Sequence, residues 1–303
     1  MYADVFMNPF TDFGFKKLFS EESSKPYLLD FLNSILPQHH HIKSFEYSKN
    51  EHFGFNEFDR KSIVDIKCLT NNNETIIIEL QKAKQNYFKD RSIYYASFPI
   101  IEQAKKGDWD YKLNSVYTIG ILDFTFSDDE ETVIHTVNLK NQKNQVFYDK
   151  LTFIYLTMPN FRKQEFELET NQDKWLYLFK NMALCNEVPQ VFKHNVIFED
   201  VFEKSKLLKL SHAEQETYRN SLKNHLDLYN SINTAKLEAR EEGKAEGIAE
   251  GRAEGEAIGI EKGKAEGQLE AKQQIAKSMK GLNISIDVII QATGLSKADI
   301  EVL

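Results

Sequence analysis

The apolar positions change period several times along the chain, and each change marks an element. Asp12 followed by Phe13, Phe15, Leu18 and Phe19 predicts a short N-capped helix. Leu28, Leu29, Leu32, Ile35 and Leu36 predict a second helix over Pro26–Leu36. Phe45 to Phe55 reads as a first strand. Two β-rich runs, Ser62–Thr70 and Thr75–Leu80, then flank Asn71, Asn72 and Asn73, the pattern of a hairpin. After Gln81 the period becomes helical, with Tyr87, Phe88, Tyr94, Tyr95, Phe98 and Ile101 on one face. Ser115–Phe124 is almost continuously apolar, as a strand buried on both faces should be. Thr132–Leu139 and Leu151–Thr157 predict further strands. Asp173–Leu184, Val188–Val201 and Ser205–Asn230 predict helices.

From Ala235 the pattern changes abruptly. Glycines stand at 243, 247, 251, 255, 259, 263 and 267, four residues apart, among alanines and balanced charges. At about 1 kcal/mol per glycine relative to alanine, such a helix is weak by itself. A flexible charged spacer and a small-residue stripe packing helix against helix in a dimer are both consistent with it, and a frayed helical linker that orders on self-association is preferred. Beyond it, Ile275, Met279, Leu282, Ile286, Ile289, Ile290, Leu295, Ile300 and Leu303 restore apolar periodicity, with Gly294 as a break and Ser296 as the next cap. The expected organisation is a main domain over residues 1–232, a Glu/Gly-repeat helical linker over 233–272, and a small helix-turn-helix-like segment over 273–303, with self-association through the tail.

The hairpin carries the candidate chemistry. If Thr70 pairs with Glu74, opposed positions sum to 144 and Asp65 lies across from Glu79, with Cβ atoms about 5 Å apart. Two facing carboxylates among isoleucines and valines need a compensating cation, and a hard divalent ion such as Mg2+ is the usual one. Strand alternation puts Glu79 and Gln81 on one face and Ile78 and Leu80 on the other. On spacing alone a second reading stands, in which the acids sit at a solvated strand edge and pair with Lys67 and Lys82. After the hairpin, Lys84, Phe88, Arg91 and Tyr95 recur at helical steps, so Lys84 and Arg91, with Gln85 beside them, are placed to meet phosphates; Arg91 pairing with Glu102 or Asp90 is the competing reading. Glu57 and Asp59 read as solvated loop acids, Asp12 and Lys16 as a cap with an i,i+4 ion pair, and His39-His40-His41 as a loop.

The whole chain sets limits. Its 303 residues are 41% hydrophobic with 22 Phe and 13 Tyr, enough for a substantial core. No apolar run has the length of a membrane span and no basic leader precedes an apolar stretch, so no membrane partner and a cytoplasmic location are expected. Cys68 and Cys185 have no metal-ligand spacing and read as buried thiols. A net charge of −8 argues against nucleic-acid binding through overall charge, but Arg60–Lys106 holds nine Lys or Arg against five Asp or Glu. The candidate site is therefore a locally basic region.

Val64-Asp65 and Glu79-Leu80-Gln81 resemble the "PD" and "(D/E)XK" elements of the PD-(D/E)XK nuclease superfamily, in its branch of recombination-promoting nucleases or PD-(D/E)XK family transposases. Val64 stands for the nominal Pro, and Gln81 stands where most of the superfamily has Lys. Asn8-Pro9-Phe10, Phe15-Lys16-Lys17-Leu18-Phe19, Gln85–Tyr95 and Gly107-Asp108-Trp109 add to the resemblance, which runs from about Asn8 to Asn230. It implies a restriction-endonuclease-like α/β core, a mixed sheet flanked by helices, with an α-helical C-terminal extension. It implies DNA as partner, and Mg2+, or Mn2+ in its place, held by Asp65, Glu79 and the Leu80 carbonyl. It implies catalysis by Asp65, Glu79 and Gln81, with Lys82, Lys84, Gln85 and Arg91 on phosphates. The expected activity is metal-dependent DNA endonuclease of a recombination-promoting type; the alternatives are a DNA-binding or assembly protein with a degenerate site, and a defence nuclease.

Overall fold

The computed structural model describes residues 5–37, 40–48, 51–52, 62–105, 107–126 and 129–303. Glu57 and Asp59, named above as candidate acids, lie outside the described residues, as does His39. The chain clusters into two units, Met1–Leu228 and Tyr229–Leu303.

The first unit is built on a six-stranded mixed sheet in the order β1-β4-β5-β6-β8-β7, where β1 is Phe45–Tyr47, β4 Ile66–Thr70, β5 Thr75–Gln81, β6 Val116–Leu122, β7 Ile134–Lys140 and β8 Val146–Thr157. β4 and β5 form the expected hairpin: Thr70 N–H donates to Glu74 O at 2.9 Å, Asn73 takes the left-handed conformation at φ 58°, and Ile66 pairs with Ile78. β5, β6 and β8 run parallel, while β1, β4 and β7 are antiparallel to their neighbours. β6 is buried along its whole length, as its unbroken apolar run requires.

Several boundaries differ from expectation. The first strand stops at Tyr47. Glu51–His52 (β2) pairs instead with Ser62–Ile63 (β3), and a bend at Asp65 separates β3 from β4. The helix after the hairpin, α3 (Phe88–Ile101), starts six residues later than the period suggests, because Tyr87 is left-handed at φ 61°. Lys84 therefore precedes the helix and is not on its stripe.

One face of the sheet is covered by α1 (Asp12–Phe19), α2 (Lys25–Ile35), α4 (Asn171–Asn181) and α5 (Val196–Ser205). Ile66, Cys68, Ile76 and Ile78 share one core with Phe19, Phe31, Trp175, Phe179 and Phe198 of that layer, all essentially buried. Cys185 is half-buried where Cys68 is fully so. Thr11 rather than Asp12 caps α1, accepting from Gly14 N–H at 3.0 Å, while Asp12 pairs with Lys16 at 3.0 Å as expected. α5 begins at Val196, eight residues later than predicted, behind the turn at Pro189. The other face carries α3, with Ala96 buried against Leu122, Phe153 and Tyr155.

α6 runs unbroken from His212 to Gly281, through all seven repeat glycines. Its first turns belong to the main unit: Tyr218 OH accepts from Asn8 N–H at 2.9 Å, Ser221 Oγ from Phe13 N–H at 3.1 Å, and Glu214 pairs with Lys17 at 2.7 Å. In the second unit, α7 (Ile286–Thr293) and α8 (Lys297–Val302) bury Ile289, Leu295 and Ile300 on Ala276, with Gly294 left-handed at φ 71° and Ser296 closing a capping box. Every contact tying α6 to the main unit named above precedes Leu228. Deleting Ala235–Leu303 is accordingly expected to leave a folded core with a changed oligomeric state, measured by circular dichroism and light scattering; global unfolding would show the tail to be integral.

Candidate active site

β5 is the element that positions the site. Its side chains Ile76, Ile78 and Leu80 face the helical layer, while Ile77, Glu79 and Gln81 face α3. At its carboxyl end β4 has already stopped, so the backbone edge of Leu80 is open to the chain that bends at Asp65. Leu80 N–H donates to Asp65 Oδ2 at 2.7 Å, and Asp65 N–H donates to Glu79 Oε2 at 3.3 Å. The two acids are thus clasped at the strand end, one residue beyond the Ile66–Ile78 pair that closes the ladder. Strand alternation turns the Leu80 carbonyl toward the same edge.

Neither acid is solvated in the way the edge reading requires. Lys67 pairs with Glu102 at 2.7 Å instead, and the Glu79 side chain is 18% exposed. Burial, and then the neighbouring Asp65 carboxylate, pushes Glu79 up to about 7; burial also raises Asp65. The cation that does reach Glu79 is Arg91, from the first turn of α3. Its Nη2 lies 3.3 Å from Glu79 Oε1 and 3.4 Å from Gln81 Oε1, and Nη1 donates to Gln85 Oε1. It also lies 5.3 Å from the centroid of Tyr95. Arg91 Nε is buried with no hydrogen-bond partner among the described residues, leaving a donor to spare. Neither Glu102 nor Asp90 is its partner in these contacts.

Gln81, 8% exposed, donates from Nε2 to Ala83 O at 3.1 Å and accepts from Arg91 on Oε1. Asp65, Leu80, Gln81, Lys82 and Gln85 line one cleft of about 270 Å3, together with Asp12 of α1 and Leu228 of α6. Burial holds the Lys82 ammonium below its ordinary value, against the raising pull of Asp12 and Asp65. Lys84 is exposed outside the helix. Sequence reasoning gave Leu228 no role, and gave none to His225 of the same helix. The His225 imidazole, half-buried with Nδ1 lacking a hydrogen-bond partner among the described residues, has its value lowered by burial and by Lys82. No local pattern in α6 marks either residue.

Among the described residues no group of three or more His, Cys, Asp or Glu could hold a metal ion. At the end of β5 two carboxylates and a backbone carbonyl come together, a sparse oxygen set of the kind that binds Mg2+ alongside water and substrate phosphate. The buried, mutually repelling pair fits such an ion.

A family model, PD-(D/E)XK nuclease family transposase, matches residues 9–235. The chain belongs to this family. No curated protein and no solved structure matches it. Membership in the PD-(D/E)XK nuclease family agrees with the mixed sheet and its helices, and gives the chain a nuclease-like function. No helix among the described residues is long and apolar enough to cross a membrane.

The raised Glu79 value has a consequence for stability. A carboxyl whose value rises from about 4.5 to about 7 on folding binds its proton more tightly in the folded state. Stability is then lost as pH rises through that window, on the order of 3 kcal/mol by pH 8. Urea unfolding in EDTA should show it, and Glu79→Gln should flatten the slope while keeping acceptors for Asp65 N–H and Arg91. An equally steep slope in the variant would rule out Glu79 as its origin.

Proposed function

We propose that the protein is a metal-dependent endodeoxyribonuclease, hydrolysing phosphodiester bonds in recombination or transposon-like mobility. The observation that carries this reading is the buried Asp65 and Glu79 pair, joined through the Leu80 backbone at the carboxyl end of β5. Asp65, Glu79 and the Leu80 carbonyl would hold Mg2+, or Mn2+ in its place. Such an ion supplies Lewis-acid polarisation of the phosphoryl group and charge stabilisation at the leaving 3′ oxygen.

The remaining roles belong to side chains. Gln81 is neither a cation nor a base, but its Oε1 keeps a lone pair to orient the attacking water. Arg91, already against Glu79 and Gln81, supplies the positive charge that most of the superfamily draws from Lys; its planar fork suits the charge developing on phosphoryl oxygens. Lys82 and Gln85, which line the cleft, meet flanking phosphates, with the exposed Lys84 between them in the chain. Leu228 of α6 lines the cleft from the other side. DNA is the partner of this surface, through local charge rather than the net −8, so binding should weaken steeply with salt. We place the protein in the cytoplasm, self-associating through its tail.

Purified protein incubated with supercoiled plasmid should nick or linearise it with Mg2+ and not with EDTA. No cleavage with saturating Mg2+ or Mn2+ would favour the second reading, a DNA-binding or assembly protein. Its specific support is the Arg91 guanidinium already seated on Glu79. A defence nuclease would use the same site chemistry and differ in its biological target.

A further inference from the structure

A second concavity lies on the α3 face of the sheet, beyond the groups used above. Its floor is a two-by-two block of cross-strand pairs, His135 opposite Tyr155 and Val137 opposite Phe153. Lys89 and Ile93, one turn apart on α3, form one wall, and Phe126 and Asp129 of the β6–β7 connection form the other. The space is about 470 Å3, within the ~300–1,000 Å3 of small-molecule sites.

Its chemistry is that of a flat heterocycle carrying a phosphate. Phe153 and Tyr155, buried at 7% and 6% exposure, lie ring beside ring at 6.2 Å and 18° as an apolar floor, and the part-exposed Phe126, edge-on to Tyr155 at 5.6 Å, offers the ring a base can stack on. Lys89 Nζ lies 5.3 Å from the centroid of Phe126, which keeps a cation at the rim. Asp129 Oδ1 accepts from Thr132 N–H at 2.8 Å and Glu131 N–H at 3.1 Å, while Oδ2 stands 3.9 Å from His135 Nδ1. A stacking surface with a carboxylate and an imidazole at its edge is what reads a base edge, and a lysine at the rim meets the phosphate.

The pocket is also in line with the active site. Glu79 pairs with Gly120, Gly120 with Tyr155, and Tyr155 with His135, one continuous row across four strands. At ~4.8 Å per strand, Tyr155 stands ~10 Å from Glu79, about three stacked-base rises of ~3.4 Å. Gly120 permits the arrangement: a Cβ there would stand 2.9 Å from Tyr155 Cδ1.

We propose that this pocket receives a nucleobase of the DNA strand bound at the active site, turned out of its stack a few nucleotides from the cut. The assignment rests on the nuclease reading for its substrate, but not on cleavage. It sets a base preference flanking the scissile phosphate.

The test is run in EDTA, where nothing is cut. A single-stranded oligonucleotide containing 2-aminopurine is titrated with the full-length protein and its fluorescence followed, with deoxyadenosine monophosphate as competitor. Lys89→Glu and the pocket-filling Val137→Trp, each checked by circular dichroism, are expected to weaken binding at least tenfold, and Leu208→Ala, at an exposed position that lines neither cleft, to leave it unchanged. Wild-type binding by folded Val137→Trp overturns the proposal. So does binding of the mononucleotide with no competition from the oligonucleotide, which would make this a free-nucleotide site. A halved mass of Val137→Trp by light scattering, with binding intact, would assign the face to a second copy and overturn it equally. A protein that binds the base but cuts nothing under any metal would sink the nuclease reading and leave this pocket standing.

Discussion

Asp65→Asn and Glu79→Gln are each expected to abolish Mg2+-dependent cleavage, lowering the rate by about three orders of magnitude or more, with the fold intact. Each removes one of two carboxylates available to an ion, and losing several kcal/mol of transition-state charge stabilisation corresponds to that factor. The amide variants test this more cleanly than alanine. Asp65 Oδ2 accepts Leu80 N–H and Glu79 Oε2 accepts Asp65 N–H, so alanine would leave those part-buried donors unpaired at about 1–3 kcal/mol each. Asn and Gln keep an acceptor oxygen at nearly the same place. The metal-free variants should unfold at urea concentrations no lower than wild type at pH 8, since the repulsion between two buried carboxylates is gone. Calorimetric titration with Mg2+ should show weakened binding alongside the lost activity. Cleavage at the wild-type rate by either folded variant would overturn the site assignment.

The hairpin was legible in the sequence because its information is local. Period-two alternation and three successive asparagines fix the register, and Ile66 pairs with Ile78 as a sum of 144 requires. The facing of Asp65 and Glu79 follows from that register alone. What was not legible depends on distant neighbours or on single dihedral angles. Nothing in the run Ser62–Thr70 announces the bend at Asp65, which frees that carboxylate to reach the Leu80 N–H. The late start of α3 hangs on Tyr87 at φ 61°. Arg91 was placed near phosphates or against a local acid, yet its partner Glu79 lies 12 residues away, across the gap between helix and sheet. The α6 side of the cleft, Leu228, sits over 140 residues along the chain from Gln81 and carries no spacing signal. The continuous helix through the repeat glycines runs against their propensity, and a Cβ at any of the seven would meet nothing within 4 Å, so no packing among the described residues explains them.

Gln81 and Arg91 together give the more discriminating prediction. Gln81→Ala removes the Oε1 that would orient the attacking water and the second Nε2 hydrogen, not used by Ala83 O, that could donate to a phosphoryl oxygen, and should slow cleavage by about two orders of magnitude, the usual scale for one such donor. Arg91→Ala removes the only cation seen to touch both Glu79 and Gln81 among the described residues, and a loss of about three orders is expected. Gln81→Lys puts the superfamily's usual group into the chain. Alone it should retain activity, although its ammonium would enter a space where Arg91 Nη2 already lies 3.4 Å from Oε1. Combined with Arg91→Ala that crowding disappears, and the new lysine stands beside Glu79 with no competing guanidinium. The double variant Gln81→Lys with Arg91→Ala should therefore recover most of what Arg91→Ala lost, measured as single-turnover rates at saturating Mg2+. Such a rescue is what a transferred charge predicts and a purely structural arginine does not. If the double variant is as slow as Arg91→Ala, the charge at this site comes from elsewhere, and Lys82, drawn toward Asp65 and Asp12 in the same cleft, becomes the residue to change next.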